Sequence, residues 1–304
     1  MATFGPIPSA QIVGPLAAVA GTDSAGSRFS TPDGNPLVTA NALVTVRRSI
    51  VAKPGQPSSR QASLDDTAVR EWAQRTNLGQ HGTGGTAAKL VNAVAVRRVR
   101  ALRAVTHSRL ECWMVTLRPD TPVLIGAADN GARDVGMSLH GTYGWPILPG
   151  SGLKGAAHAY ARDDAGLPDA DLNRIFGSPR PDTDTHKGTT DACQGTVVFM
   201  DALPMRGDIA IGQEVLTPHV KDYYTGDQPP AEYLQPIPVP FLSAARGAWV
   251  AFLVGPSGDA ERAAGLLAGA AVTLGLGAKT SAGYGYFDET AAGPVQQFAP
   301  VTSR

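Results

Sequence analysis

Residues 247–287 read GAWVAFLVGPSGDAERAAGLLAGAAVTLGLGAKTSAGYGYF. The apolar run over 247–254 is too short for a helix and predicts a buried strand. A Pro-Ser-Gly turn follows. Asp259 then stands where an N-cap belongs, ahead of an alanine-rich helix over 259–272. Gly275–Gly285 forms a glycine-rich loop that holds Lys279, Thr280 and Ser281, and 284–287 predicts a last strand. Strand, helix, loop and strand make one half of a split βαβ arrangement.

The other half lies upstream. Glu111–Leu117 (ECWMVTL) alternates like a half-buried strand, and TPVLIGAAD extends it to a turn at Gly126. PGSGLKG at 149–155 reads as a turn into a helix, with Ser151 as N-cap and a run of alanines behind it. Residues 195–201 (GTVVFMD) predict a strand. The order from Glu111 onward is strand, helix, strand, strand, helix, strand. That predicts an α+β, ferredoxin-like (RRM-like) fold: a four-stranded antiparallel sheet with two helices on one face. The acidic stretch 163–191 and the proline-bearing 216–241 read as loop-like insertions. Before the core, Ala42–Ile50 is strand-like and 63–78 opens with a helix signal. Residues 89–110 read as an amphipathic basic helix: Val91, Val94, Val99 and Leu102 fill one stripe, and Arg97, Arg98, Arg100 and Arg103 crowd the rest. The expected division is a basic N-terminal region packing on the core over 1–109, a core domain over 110–290, and a tail over 291–304.

The chain has 304 residues, 26 basic and 26 acidic, with 43% hydrophobic content. A zero total speaks against a strongly basic nucleic-acid binder, but the total hides a split. Residues 1–118 hold 14 basic and 6 acidic side chains, and the remainder holds 12 and 20. The split predicts a basic face for an anionic partner and an acidic face for something else. Two cysteines, Cys112 and Cys193, exclude a disulfide framework and fit a reduced cytoplasm. The N-terminus has no basic n-region, and the longest apolar run is too short and too glycine-rich to span a bilayer. A cytoplasmic protein without membrane contact is expected, and nothing in the chain calls for a cofactor.

The glycine-rich loop lets backbone amides approach an anion without Cβ clashes, and Lys279 supplies charge. It is not a Walker A loop, because Ala278 precedes Lys279. Nor is it a dinucleotide fingerprint, because Thr280 stands where the third glycine belongs. A phosphate contact and a tight structural turn both fit it. Lys154, one turn into the helix after Pro149, is a second candidate phosphate contact. The histidines are His81, His107, His140, His158, His186 and His219, with no recognisable pair among them. His140 in SLHGTYGW is the best candidate for acid–base work, and His158 reads as packing or touching RNA. Asp129 and Asp134 could hold a metal, but two such residues specify a site only weakly, and a solvated loop is the preferred reading.

Together, LPGSGLKGAAHAYAR, IFGS with GTVVFMDALP, LTPHVKDYY with PIPVPFL, and LGLGAKTSAGYGYF resemble the RAMP proteins of CRISPR systems. More narrowly, they resemble the sixth-subunit family of type III-B Cmr effector complexes. The resemblance covers about residues 110–288. It implies a non-catalytic subunit that binds CRISPR RNA, and secondarily target RNA. Such a subunit caps the backbone near the guide 3′ end, beside the fourth, first and small subunits. Carried over by motif, the implied RNA contacts are Ser151, Gly152, Lys154 and Gly155, with His158 and Arg162 further along the helix. The loop adds Gly275, Gly277, Lys279, Thr280, Ser281, Gly283, Tyr284 and Gly285. His219, Tyr223 and Tyr224 of the TPH…YY segment, with Arg97, Arg98 and Arg100, are further RNA or assembly contacts. The family's alternative activity is an endoribonuclease that processes CRISPR RNA.

Overall fold

A computed structural model describes residues 2–3, 11–13, 50–52, 86–106, 110–127, 137–178, 192–205, 209–217, 226, 238–288 and 296–297. In chain order the elements are β1 (Ala2–Thr3), β2 (Gln11–Val13), β3 (Ile50–Ala52), helix α1 (Thr86–Val105), β4 (Glu111–Leu117), α2 (Gly150–Asp163) and α3 (Asp169–Phe176). There follow β5 (Val198–Phe199), β6 (Leu203–Pro204), β7 (Ala210–Leu216), β8 (Val239–Arg246), β9 (Trp249–Gly255), α4 (Asp259–Thr273) and β10 (Gln296–Gln297). The expected helix over 63–78, with His81, His107, Asp129, Asp134, His186, His219, Tyr223 and Tyr224, lies outside the described residues. Among the described residues, no helix is long and apolar enough to cross a membrane.

The chain divides into two compact units. One comprises Met1–Gln80, Ile125–Trp145 and Ala210–Ala244; the other comprises His81–Leu124, Pro146–Ile209 and Ala245–Arg304. The boundary expected at 109/110 is therefore not where the fold divides, because α1 belongs with the core. The first unit carries the β1-β2-β3 sheet and most of the β7-β8 pair. Residues 236–241, expected as loop, enter β8 at Val239 despite Pro240. A two-stranded sheet leaves an unpaired edge on which a missing N–H costs nothing.

The second unit is built on a sheet of order β10-β4-β9-β5, with β6 also pairing β9, and its neighbours run antiparallel. Counted along the chain, the four strands lie in the order fourth, first, third, second. Period-two alternation gives β4 and β9 two distinct faces. Trp113, Val115 and Leu117 pair with Leu253, Ala251 and Trp249, while Cys112, Met114 and Thr116 pair with Val254, Phe252 and Val250. Helices α2 and α4 pack together, and α4 lies against β4 and β9. Small buried residues let them approach: Ala157 and Ala161 on α2, and Ala260, Ala263, Ala264, Ala270 and Ala271 on α4. Tyr160 of α2 lies over Gly269 of α4, where a Cβ would come within 2.5 Å of the ring.

The Cys112 face is covered by α1. Leu102 joins Cys112, Val250, Phe252 and Val254 in one apolar cluster, with Val99 and Met114 packed against it. Arg98 holds the same side. Its guanidinium carbon sits 5.1 Å from the Phe252 ring centroid, and Nη2 donates to the Asp201 carbonyl at 2.7 Å. Burial pushes the Arg98 pKa down, partly offset by Asp201 and Cys112. Burial pushes the Cys112 thiol up to about 11.

Three expected strands or caps are corrected. The strand over 195–201 shortens to Val198–Phe199. The strand over 284–287 does not form. Gly283 and Gly285 take φ of 89° and 76°, outside the β region, leaving only a bridge between Pro119 and Phe287. The sheet's fourth strand is instead β10, within the segment expected as tail. Asp259 is not the N-cap of α4, a place taken by Gly258 at φ 81°. Asp259 is buried in the first turn, accepting from Arg174 Nη1 at 2.5 Å and Thr196 Oγ1 at 2.9 Å.

Candidate nucleic-acid interface

Both segments expected to contact phosphate border this sheet. The β4-β9 register sets Leu117 opposite Trp249. The glycine-rich loop is tied to the residues that follow β4: Ala278 N donates to Leu124 O (2.8 Å), Gly285 N to Pro122 O (2.9 Å) and Asp120 N to Tyr286 O (2.8 Å). The start of α2 is tied to the residues between β5 and β6, which run beside the middle of β9, Met200 N donating to Phe252 O at 3.0 Å.

Ser151 is not the cap of α2. Pro149 occupies the N-cap position and Gly150 is the first helical residue. The cap comes from elsewhere: the Gly150 amide donates to Asp201 Oδ1 at 2.7 Å. A carboxylate at a helix N-terminus stabilises by about 1 kcal/mol. Asp201 thus already answers the first amide, and an incoming phosphate would meet what lies beyond it. Gly150 must be glycine, since a Cβ would overlap the Phe199 carbonyl oxygen. Gly152 and Gly155 differ, because a Cβ at either would meet no atom within 4 Å. Both are exposed. The fold does not need them, and each costs helix stability relative to alanine. Their effect is a bare strip of helix backbone.

Lys154, His158 and Arg162 follow that strip at i, i+4 and i+8, spanning about 12 Å along one helix face. Their proximity shows in His158, whose imidazole is held below its ordinary pKa by burial first, then by Arg162 and Lys154. The His158 ring also meets Phe176 edge-on at 5.2 Å, so it packs and faces the cationic row at once. Arg162 pairs with its exposed neighbour Asp163 at 2.7 Å.

The loop resolves into two kinds of residue. Gly275, Gly277 and Gly285 have folding roles. Their φ angles are 77°, 102° and 76°, and added Cβ atoms would reach Thr280, Leu124 O and Leu276 O respectively. Gly275 N also closes α4 on Ala270 O at 3.0 Å. These three, expected as RNA contacts, also hold the turn, and Gly277 is exposed as well. Gly283 is exposed with open space around it, at φ 89°. Lys279 is the one described non-glycine residue with positive φ, at 60°. It caps the short 3-10 turn Thr280–Ala282, where Lys279, Ser281, Ala282 and Gly283 are exposed and Thr280 is partly so. Lysine in that conformation carries a steric cost that glycine would avoid, and the side chain is what the position gains. Tyr284 is partly buried, its amide donating to Lys279 O at 3.3 Å.

Arg97 and Arg100 are exposed on α1, whereas Arg98 is engaged with Phe252 and Asp201. His140 lies in the other unit. Its Nδ1 accepts the Thr142 and Tyr143 amides at 3.1 and 3.3 Å, which leaves one ring nitrogen for any proton transfer. Asp201 is the residue that sequence reasoning missed as a site element. An aspartate after an apolar strand carries no signal that it caps a helix 51 positions earlier.

A model of the RAMP superfamily matches residues 116–288. The chain is 28% identical over 218 residues to the CRISPR system Cmr subunit Cmr6 of Pyrococcus furiosus, covering 54% of this chain and 64% of that protein. It therefore spans less than two thirds of that relative's length. A chain in the cryo-EM structure of the type III-B Cmr-beta bound to cognate target RNA is similar at TM-score 0.51 and 21% identity, covering 73% of this chain and 71% of that one. The crystal structure of Cmr6 from Pyrococcus furiosus gives TM-score 0.36 and 22% identity, covering 60% and 99%. The family model spans more than half of the chain, across β5, β6, β9, both packed helices and the glycine-rich loop, and the chain belongs to the RAMP superfamily.

Proposed function

We propose that this chain is a non-catalytic RNA-binding subunit of a type III-B Cmr effector complex. It holds CRISPR RNA, and secondarily target RNA, through Lys154, Lys279 and the exposed backbone beside them. The sheet order and the two helices on one face support a ferredoxin-like core. In this reading it caps the backbone near the guide 3′ end, against the fourth, first and small subunits, in the cytoplasm. The carrying observation is the pair of exposed glycines on α2, which the fold does not require, beside a cationic row. Bare backbone next to lysine suits a phosphodiester chain, which is recognised by charge and close approach and not by base identity.

The test is affinity for single-stranded repeat RNA across a salt series, with the purified chain and with the assembled complex. Lys154→Ala with Lys279→Ala should weaken binding for all sequences. It should also reduce the slope of log K against log salt by about 1.4, the effect of two lost phosphate contacts. An unchanged slope refutes the assignment. Cleavage of repeat RNA by the chain alone, abolished by His140→Ala, refutes the non-catalytic reading.

A further inference from the structure

Residues 138–145 read SLHGTYGW, a motif that the phosphate contacts leave unused. It forms a closed turn in the first unit. His140 N donates to Trp145 O and Gly144 N to His140 O, both at 2.8 Å, and Ser138 N ties the base of the turn to Ile125 O at 2.8 Å. The Thr142 and Tyr143 amides both donate to His140 Nδ1, at 3.1 and 3.3 Å. An imidazole that accepts at Nδ1 in its neutral form keeps its proton on Nε2.

The same turn stacks three rings. His140 and Tyr143 lie 4.6 Å apart at 32°, and Tyr143 and Trp145 lie 4.5 Å apart at 18°. Trp145 is 3% exposed, while His140 and Tyr143 keep part of their surface open. The stack thus runs from the core to solvent. Gly141 and Thr142, at the tip, are exposed, and a Cβ on Gly141 would meet no atom within 4 Å. If the rings served only as filler, burial of all three would be the expected outcome. Instead a rigid turn presents open ring surface with no bulky side chain at its tip.

We propose that the His140–Tyr143–Trp145 turn is a stacking platform for an unpaired nucleobase of RNA, a contact separate from the phosphate-holding motifs. The proposal rests on the RNA-binding reading above and adds a second, different kind of contact to it. Every base has a π-face, so such a platform tolerates sequence; it gains little from low salt, because no phosphate is neutralised. His140 Nε2–H adds one donor for a base edge or a sugar oxygen.

The test uses the full chain and single-stranded RNA carrying 2-aminopurine at successive positions. Stacking quenches the fluorescent base, so quenching should be found at one position or a few neighbouring ones. Tyr143→Ala removes the middle ring of the stack and the support beneath His140, so it should abolish that quenching and weaken binding about tenfold, the order expected for one lost stacked base. The salt slope should be unchanged. Tyr143→Phe should retain both signals. Gly141→Leu adds bulk at an open position whose φ lies outside the left-handed region, so it tests access even if Tyr143→Ala fails to fold. It should reduce quenching too. Wild-type quenching in Gly141→Leu, together with wild-type affinity and quenching in any folded Tyr143→Ala, overturns the platform while leaving the phosphate reading intact. No salt-dependent RNA binding by the wild-type chain overturns both.

Discussion

Replacing Gly152 and Gly155 by alanine should make the free protein more stable and the RNA complex weaker. Neither glycine has a neighbour that a Cβ would strike, and neither has the positive φ that would strain alanine. Gly155 lies in the helix interior, where alanine is favoured by about 0.8–1 kcal/mol. Gly152 lies in the first turn, and its gain is roughly half of that. The pair should therefore gain about 1.5 kcal/mol, which for a folding unit of this size raises Tm by roughly 3–5 °C. On the RNA side, two methyl groups would stand on the strip of backbone beside Lys154 and hold a phosphodiester chain away from it. The expected loss is about tenfold in affinity, with a smaller loss for Gly155→Ala alone. Differential scanning calorimetry measures the first effect and fluorescence anisotropy with labelled single-stranded RNA the second. A fall in Tm would show that the strip is packed internally. A rise in Tm with unchanged affinity would show that no strand approaches this face.

Gly285→Ala should cost several kcal/mol, because a Cβ would overlap the Leu276 carbonyl and φ is 76°. Gly283→Ala, at φ 89° in open space, should cost about 1 kcal/mol; equal shifts in urea midpoint would refute the division of the loop into folding and exposed residues. Cys193 is exposed with its thiol pKa lowered by the Ser178 hydroxyl, whereas Cys112 is buried and pushed up to about 11. Alkylation at pH 8 followed by mass spectrometry should therefore label Cys193 and spare Cys112 until the protein unfolds; equal rates in native protein would contradict the placement of α1. The folded His158 pKa is lowered from 6.5, so the unfolded chain binds more protons just below that pH, and stability should fall as pH drops through that window. An approaching phosphate would favour the protonated ring, so RNA binding should tighten over the same window, and His158→Ala should remove the pH dependence of both.

The strands and helices most legible in the sequence were those with one period and one environment. Glu111–Leu117 alternates and forms β4, while 247–254 is uniformly apolar and forms β9, with apolar partners on both faces. The caps of α2 and α4 lie one or two residues before the expected ones, because local residue types do not show which group closes a helix from across the fold. Ser151 and Asp259 are good cap residues by type, but Asp201 caps α2 from across the sheet, and Asp259 is held by Arg174 and Thr196. The strand expected at 284–287 failed because glycine identity does not reveal the sign of φ. Two positive-φ glycines turn that segment onto 118–124 and leave the sheet edge to β10. The same limit explains the mixed outcome for the loop. Its four glycines look alike in sequence, and only the neighbours that a Cβ would meet separate Gly275, Gly277 and Gly285 from Gly283.

Bulk charge proves a poor guide to where an anion would bind. The basic excess of residues 1–118 includes Arg98, whose guanidinium is committed to holding α1 on the sheet face through Phe252 and Asp201. Arg97 and Arg103 are not free either. On the acidic side, Asp171 is engaged by Arg174 and Arg262, and Asp259 by Arg174, tying α3 to α4. Two cations stand beside accessible backbone: Lys154, half-buried on α2 next to two dispensable glycines, and Lys279, exposed in a left-handed turn. With α1 covering one face of the sheet and α2 and α4 packed on the other, neither face of β4 and β9 offers an open surface to a strand. Each of these two segments then offers accessible backbone together with a cation. In the proposed reading, extended single-stranded RNA fits this arrangement better than a small ligand does, because the two lysines lie on separate segments and no enclosed cavity is needed to engage both.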